Sequence, residues 1–117
     1  MNYDVIVKKM IDFDKRNKFK RTNNPNINLP SFYHSYDPYD VEIDYNCMTI
    51  RFCQISKLEL LNKQYGYLKV DLVFATNNGD PIFVDKGKIY TCEHGSNKPE
   101  FEKIANNFDE FLKKITD

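Results

Sequence analysis

Three apolar runs separated by two tight-turn signals constrain the fold of this chain more than any other feature. The runs cover residues 68–76, 81–85 and 88–94. The first connection, at residues 77–80, reads Asn-Asn-Gly-Asp, and Gly and Asn adopt positive φ at little cost. The second, at residues 85–88, has the Asp-Lys-Gly-Lys pattern of a tight hairpin. Strands joined by such short turns run antiparallel, so the sequence predicts an antiparallel sheet.

A further hairpin and several helices complete the predicted architecture. Residues 41–45 and 48–55 have β-like composition on either side of Asn46, which predicts a second hairpin. From Glu100 onward the pattern predicts a helix, with Pro99 at its first position. The apolar residues at helical spacing in this segment are Phe101, Ile104, Ala105, Phe108, Phe111, Leu112 and Ile115.

Three other segments favour helices. Ser56 and Glu59 form a capping-box pattern that predicts a helix ending near Gly66. The first dozen residues have apolar positions suited to an N-terminal helix, and a short helix is expected after Pro30. We therefore expect one α+β domain over residues 1–117, a largely antiparallel sheet packed by N-terminal, middle and C-terminal helices.

Composition limits the classes of protein to which the chain can belong. Hydrophobic residues make up 41% of the 117 residues, which is enough for one core and argues against disorder. The chain has no net charge, so a protein that lives on nucleic acid or on an anionic membrane is not expected. Its apolar runs are too short for a signal peptide or a membrane span, and we expect a cytoplasmic protein.

The residues that could carry chemistry do not form a convincing catalytic or metal site. Three cysteines with no CxxC spacing predict neither a disulfide framework nor a zinc site. Cys92 and His94 lie two residues apart, with Asp80 and Asp85 close by in sequence. A catalytic zinc site needs three protein ligands, and no helix start follows Cys92 to stabilise an oxyanion, so an enzyme using Cys92, His94 and Asp85 is the least favoured hypothesis. The alternative is a Cys92 that points inward and a structural His94. With four glycines and no phosphate loop, we expect neither an enzyme nor a cofactor.

Charge is distributed unevenly along the chain. Residues 1–24 carry seven basic side chains, whereas residues 25–50 carry four acids and no Lys or Arg. The acids are interleaved with tyrosines, which offer large contact areas, so this acidic segment is a candidate surface for a basic protein partner. The alternative is an ordinary solvated loop and edge strand. The candidate partner-binding residues are Tyr36, Asp37, Tyr39, Asp40, Glu42, Asp44 and Tyr45.

The basic run at residues 15–21 has two interpretations. It resembles a nucleic-acid-binding stretch in which Phe19 stacks on a base. A solvated helix end is favoured over direct nucleic-acid binding, because the chain as a whole has no positive surplus.

The order of motifs in the second half resembles the SUKH superfamily, a group that contains a fungal cell-wall-synthesis regulator and many bacterial immunity proteins. The shared features are an apolar strand ending in Phe74-Ala75, the turn at residues 78–81, the following hairpin, His94-Gly95 and a closing helix. Upstream, the stretch from Leu29 resembles the family's Leu-Pro-led short helix. The resemblance spans about residues 29–115.

This resemblance implies a compact α+β binding domain with no shared catalytic residues. Bacterial members are typically encoded beside polymorphic or contact-dependent toxins, often nucleases, and protect the producing cell by occupying the toxin. The expected function is therefore a non-catalytic immunity protein that acts as a monomer or weak homodimer on a cognate toxin domain. The alternative is a regulatory module of the same fold that binds a protein or ligand unrelated to a toxin.

Overall fold

Four helices and eight strands form the protein, in a computed structural model that describes residues 1–117. The helices are α1 (Tyr3–Phe13), α2 (Phe32–Ser35), α3 (Leu58–Gln64) and α4 (Phe108–Thr116). The strands are β1 (Lys18–Arg21), β2 (Tyr36–Asp40), β3 (Glu42–Tyr45), β4 (Met48–Phe52), β5 (Leu72–Asn77), β6 (Asp80–Asp85), β7 (Lys88–Thr91) and β8 (Glu102–Ala105). Short 3₁₀ turns at Ile55–Lys57 and Gly66–Leu68 flank α3.

The last six strands form one antiparallel sheet whose spatial order, β3-β4-β5-β6-β7-β8, follows the chain. Strands β1 and β2 pair separately as a two-stranded antiparallel ribbon. The large sheet is curled, so α4 packs against β3 at one edge and against β7 and β8 at the other. The α+β fold and the antiparallel sheet that the sequence predicts are confirmed.

Three two-residue turns join the hairpins, and each places both central residues at positive φ. At the β5–β6 turn, Asn78 and Gly79 have φ values of 49° and 89°. This is the geometry that matches the right-handed twist of the flanking strands. The β3–β4 turn differs from the other two in composition, because its second central position, where glycine is favoured, holds Cys47 at a φ of 63°.

The main core lies between the inner face of the sheet and helices α1, α2 and α4. Its aromatic centre contains Phe32, Phe74 and Phe111, all fully buried. Phe74 and Phe108 have ring centroids 4.9 Å apart in an edge-on arrangement, which aromatic rings prefer. The C-terminal helix α4 thus covers the inner face of the sheet with its apolar side chains.

A smaller apolar cluster lies apart from the main core and contains Leu68, Val73, Phe83 and Cys92. Helix α3 is fixed here by Asn62, whose side chain accepts a hydrogen bond from Val73 N at 2.7 Å. The Asn62 amide also donates to the carbonyls of Val73 and Leu58, at 2.8 Å each.

The closing helix is shorter than the sequence predicts. Residues Glu102–Ala105 form strand β8, and α4 begins only at Phe108. Asn107 is its N-cap, because its side chain accepts the Glu110 N–H at 2.7 Å, and the Glu110 carboxylate accepts Asn106 N–H at 2.8 Å. Pro99 therefore starts no helix, and Phe101 packs on Phe83 with centroids 4.8 Å apart.

Three smaller predictions are also wrong. The cap at Ser56 is absent, because α3 begins at Leu58 after a 3₁₀ turn and has no side-chain cap. Strand β5 begins at Leu72 instead of residue 68, since Lys69 adopts left-handed φ of 57° after a second 3₁₀ turn. The basic run is not a helix end: residues Lys18–Arg21 are strand β1.

The predicted N-terminal helix and the short helix after Pro30 are both present. None of the helices combines the length and the apolar character that crossing a membrane requires.

Candidate partner-binding site

The acidic segment, residues 36–45, folds into β2 and β3, and its first half pairs with the basic run. In the β1–β2 ribbon, Lys18 stands opposite Asp40 and Lys20 opposite Asp37. The basic run and the first half of the acidic segment therefore lie side by side in the fold. No ion pair within 4.0 Å joins the facing residues.

Tyr36 and Asp37 are used to hold the fold together. Tyr36 is 6% exposed, its hydroxyl donates a hydrogen bond to the Asp4 carboxylate, and the Arg21 guanidinium lies 5.2 Å from its ring centroid. The hydrogen bond from Tyr36 lowers the pKa of Asp4, and the same bond raises the pKa of Tyr36. Asp37 accepts the Ile55 N–H at 2.9 Å, which fixes the start of the 3₁₀ turn before α3.

Tyr39, Asp40 and Glu42 lie nearer the surface. Tyr39 is half-buried with the Lys20 ammonium 4.9 Å from its ring centroid, whereas Asp40 is exposed. Glu42 forms an ion pair of 2.6 Å with Arg51 across the β3–β4 hairpin. Such an exposed pair contributes little to stability, so these charges are available to a partner at small cost.

Asp44 and Tyr45 end the acidic segment at the tip of the β3–β4 hairpin. Asp44 is exposed and accepts a hydrogen bond of 3.1 Å from the Thr49 hydroxyl. Tyr45 is half-buried and packs against the main core. Of the seven candidate residues, the structure thus leaves Asp40 and Asp44 exposed, with Tyr39, Glu42 and Tyr45 partly exposed.

Two of the motifs that carry the family resemblance meet in space. The β5–β6 turn contains Gly79 and Asp80, and the loop after β7 contains His94. Asp80 accepts the His94 backbone N–H at 3.0 Å and contacts its ring Nδ1 at 2.6 Å. A Cβ atom at Gly79 would lie 3.2 Å from the His94 ring, and the Tyr65 hydroxyl donates to the Gly79 carbonyl. These contacts hold the turn and the loop together, and we call them the latch.

Beside this latch lies a cleft of about 840 Å³ between the β5–β6 turn, the loop at residues 92–101 and β8. Its lining includes Glu93, Glu100 and Glu102, none of which forms an ion pair, and the single lysine Lys98. Sequence reasoning missed this cleft. The sequence does contain three glutamates within ten residues, which could have indicated an acidic surface. The helix predicted from Glu100 onward left no loop there to bring them together.

A second opening of about 380 Å³ continues the cleft along β8. Met48, Thr91 and Glu102 line both openings, and the second extends to Tyr45 and Lys114. We call the two together the β8 cleft. Its far end therefore reaches the last residue of the acidic segment.

Cys92 and His94 do not act on each other: Cys92 points inward and His94 contacts Asp80, as the structural interpretation of these residues expects. Cys92 is 5% exposed within the smaller apolar cluster, and burial raises the pKa of its thiol. A thiol with a raised pKa is a poor nucleophile, because the thiolate is the reactive form. His94 is held by Asp80, and no group of three His, Cys, Asp or Glu side chains is arranged to hold a metal ion.

Comparison with known proteins gives one match. The sequence model described as the SMI1 / KNR4 family (SUKH-1) matches residues 13–114, which include every strand and most of the helical segments. No curated protein and no solved structure matches the chain significantly. Because the family match covers far more than half of the sequence, the chain belongs to the SMI1 / KNR4 family (SUKH-1).

Proposed function

We propose that the protein is a non-catalytic immunity protein that binds and neutralises a cognate bacterial toxin, most simply a nuclease. The observation that carries this proposal is membership of the SUKH-1 family over residues 13–114, because the family includes toxin immunity proteins. The surface is preformed, because the turns have their favoured geometry, the aromatic centre is fully buried and the loop at residues 92–101 is held against the β5–β6 turn. A preformed surface favours tight binding, since little ordering entropy is lost on association.

The acidic segment is proposed as part of the toxin-binding surface. Asp40 and Asp44 are exposed, and the half-buried Tyr39 and Tyr45 lie beside them in sequence. Nuclease toxins bind a polyanion and therefore present basic clefts, towards which carboxylates steer diffusional encounter. Tyrosine adds contact area with few rotatable bonds.

Co-expression with the product of the gene immediately upstream, followed by affinity capture of this protein, tests binding. Stable recovery of a protein that kills cells when expressed alone is the expected result. If no toxic neighbour exists and none is recovered, the immunity proposal is wrong, and a regulatory module of the same fold becomes the better description.

The contribution of the acidic segment is tested with Asp40→Lys combined with Asp44→Lys. Asp37 is left intact, because its hydrogen bond to Ile55 supports the fold. The matched control reverses two acids elsewhere, Glu59 on α3 and Asp85 at the end of β6. Binding that is unchanged in the first variant refutes this placement of the surface, whether or not the toxin itself is confirmed.

A further inference from the structure

Strand β8 is an unpaired edge of the large sheet. It follows β7 as the last strand in the spatial order, and no strand lies on its outer side. The one side-chain hydrogen bond to its main chain is from the Lys114 ammonium, which donates to the Ile104 carbonyl at 2.9 Å. An exposed edge of this kind is a template on which another chain can pair as an additional strand.

The β8 cleft runs beside this edge and offers apolar contacts as well as main-chain ones. Phe101 is 41% exposed and lies next to Glu102 at the start of the strand. Met48 and Tyr45, both half-buried, line the opposite side. An added strand directs alternate side chains to opposite faces, so one set of its side chains would enter the cleft.

Charge determines what kind of strand fits. Seven of the 17 carboxylates lie within 4.0 Å of a lysine or arginine nitrogen, as in the Glu42–Arg51 pair at 2.6 Å. Glu93, Glu100 and Glu102 lack such a partner, and together with Asp80 they line the larger opening, where Lys98 is the single cation. At the larger opening a segment bearing lysine or arginine would satisfy these carboxylates, whereas an acidic segment would be repelled. The smaller opening is lined by Lys103 and Lys114, so the basic side chains of the segment belong at the larger one.

The wall of the cleft is held in place before any partner arrives. The Asp80–His94 contact at 2.6 Å ties the loop at residues 92–101 to the β5–β6 turn. Phe101, further along this loop, packs on Phe83 with ring centroids 4.8 Å apart. The loop is therefore anchored at both ends, and the cleft lies between its anchors and the β8 edge.

We propose that the β8 edge and its cleft bind an extended lysine- or arginine-bearing segment of the protein partner by strand addition. The segment hydrogen-bonds to the main-chain groups of Glu102–Ala105 that do not pair with β7, and it sets its basic side chains against Glu93, Glu100 and Glu102. This inference rests on the proposed function in that the partner is taken to be the toxin. Tyr45 at the far end joins the cleft to the acidic segment, so the two surfaces form adjacent parts of one interface.

The test uses the full chain and a short synthetic peptide in which lysine and valine alternate. The peptide is titrated into isotope-labelled protein while amide chemical shifts and hydrogen exchange are followed. Saturable shifts at residues 93–105, with slowed exchange of β8 amides, are expected. The same peptide with glutamate in place of lysine is the matched probe and is expected not to bind.

Two variants separate the cleft from other acidic surfaces. Glu93→Gln, Glu100→Gln and Glu102→Gln together are expected to weaken lysine–valine peptide binding by at least about tenfold. Glu59→Gln with Asp85→Asn, which removes two acids outside the cleft and outside the acidic segment, is expected to leave it unchanged. Absence of binding, equal binding of both peptides, shifts centred away from residues 93–105, or full binding by the glutamine variant overturns the inference. Because no toxin is present, these outcomes are distinct from failure of the immunity proposal.

Discussion

Replacing Asn62 by alanine should destabilise the protein strongly, because one side chain satisfies three backbone groups. Strand β4 ends at Phe52, and beyond that point Val73 of β5 has no strand partner on this side. The Asn62 amide takes the place of the missing strand, accepting from Val73 N at 2.7 Å and donating to Val73 O at 2.8 Å. It also bonds the Leu58 carbonyl within α3 at 2.8 Å.

The expected loss follows from these contacts. Each hydrogen bond contributes about 1 kcal/mol net, and leaving a buried group unsatisfied costs about 1–3 kcal/mol. Val73 is 1% exposed, so water cannot readily replace the lost partner. Alanine regains about 0.5 kcal/mol of helix propensity. The free energy of unfolding should therefore fall by about 3 kcal/mol, a large part of the stability of a domain this size.

Urea unfolding followed by circular dichroism measures this loss. The midpoint should decrease while the slope with denaturant stays the same, because the surface exposed on unfolding hardly changes. Gln64→Ala is the control, since Gln64 lies exposed on the same helix and tests propensity alone. A loss below about 1 kcal/mol for Asn62→Ala would refute the role given to its amide.

Three further predictions follow from the turns and the surface charges. Cys47→Gly should raise the free energy of unfolding by about 0.5–1 kcal/mol, because φ at Cys47 is 63°, and an unchanged melting temperature would contradict this. Gly79→Ala should lower it by at least about 1 kcal/mol, since φ is 89° and the new Cβ would meet the His94 ring at 3.2 Å; unfolding in urea checks this. Hydrogen bonds from Lys8 and Arg16 respectively lower the pKa values of Asp12 and Asp14 to about 2. The free energy of unfolding should therefore fall as the pH drops from about 4 to about 2. Urea midpoints that stay constant across this range would contradict the prediction.

The hairpins could be predicted from the sequence because their turns depend on local chemistry. Asn78-Gly79 and Lys86-Gly87 both place glycine where positive φ is required, and the structure has φ values of 89° and 81° at those glycines. Periodicity was less reliable at the C-terminal end. Phe101 and Ile104 fit a helical spacing, but they belong to a loop and a strand. The true start was marked by Asn107 and by Glu110 three residues later, a capping pair that periodicity alone does not reveal.

The candidate site was harder to predict because it depends on contacts between distant segments. Lys18 of the basic run stands opposite Asp40 of the acidic segment, although the two segments are far apart in the sequence. The hydrogen bond from Tyr36 to Asp4 and the burial of Tyr36 have no local signature. The β8 cleft needs the latch between Asp80 and His94, which lie fourteen residues apart.

The most direct test of the proposed immunity function is survival of cells that express the upstream gene product with and without this protein. We predict that the neighbouring protein kills when expressed alone and that co-expression of the 117-residue chain restores growth. Cys92→Ala should restore growth as well, because Cys92 is a buried core residue in this account. A neighbour that is harmless alone, or killing that continues when both proteins are made, would contradict it.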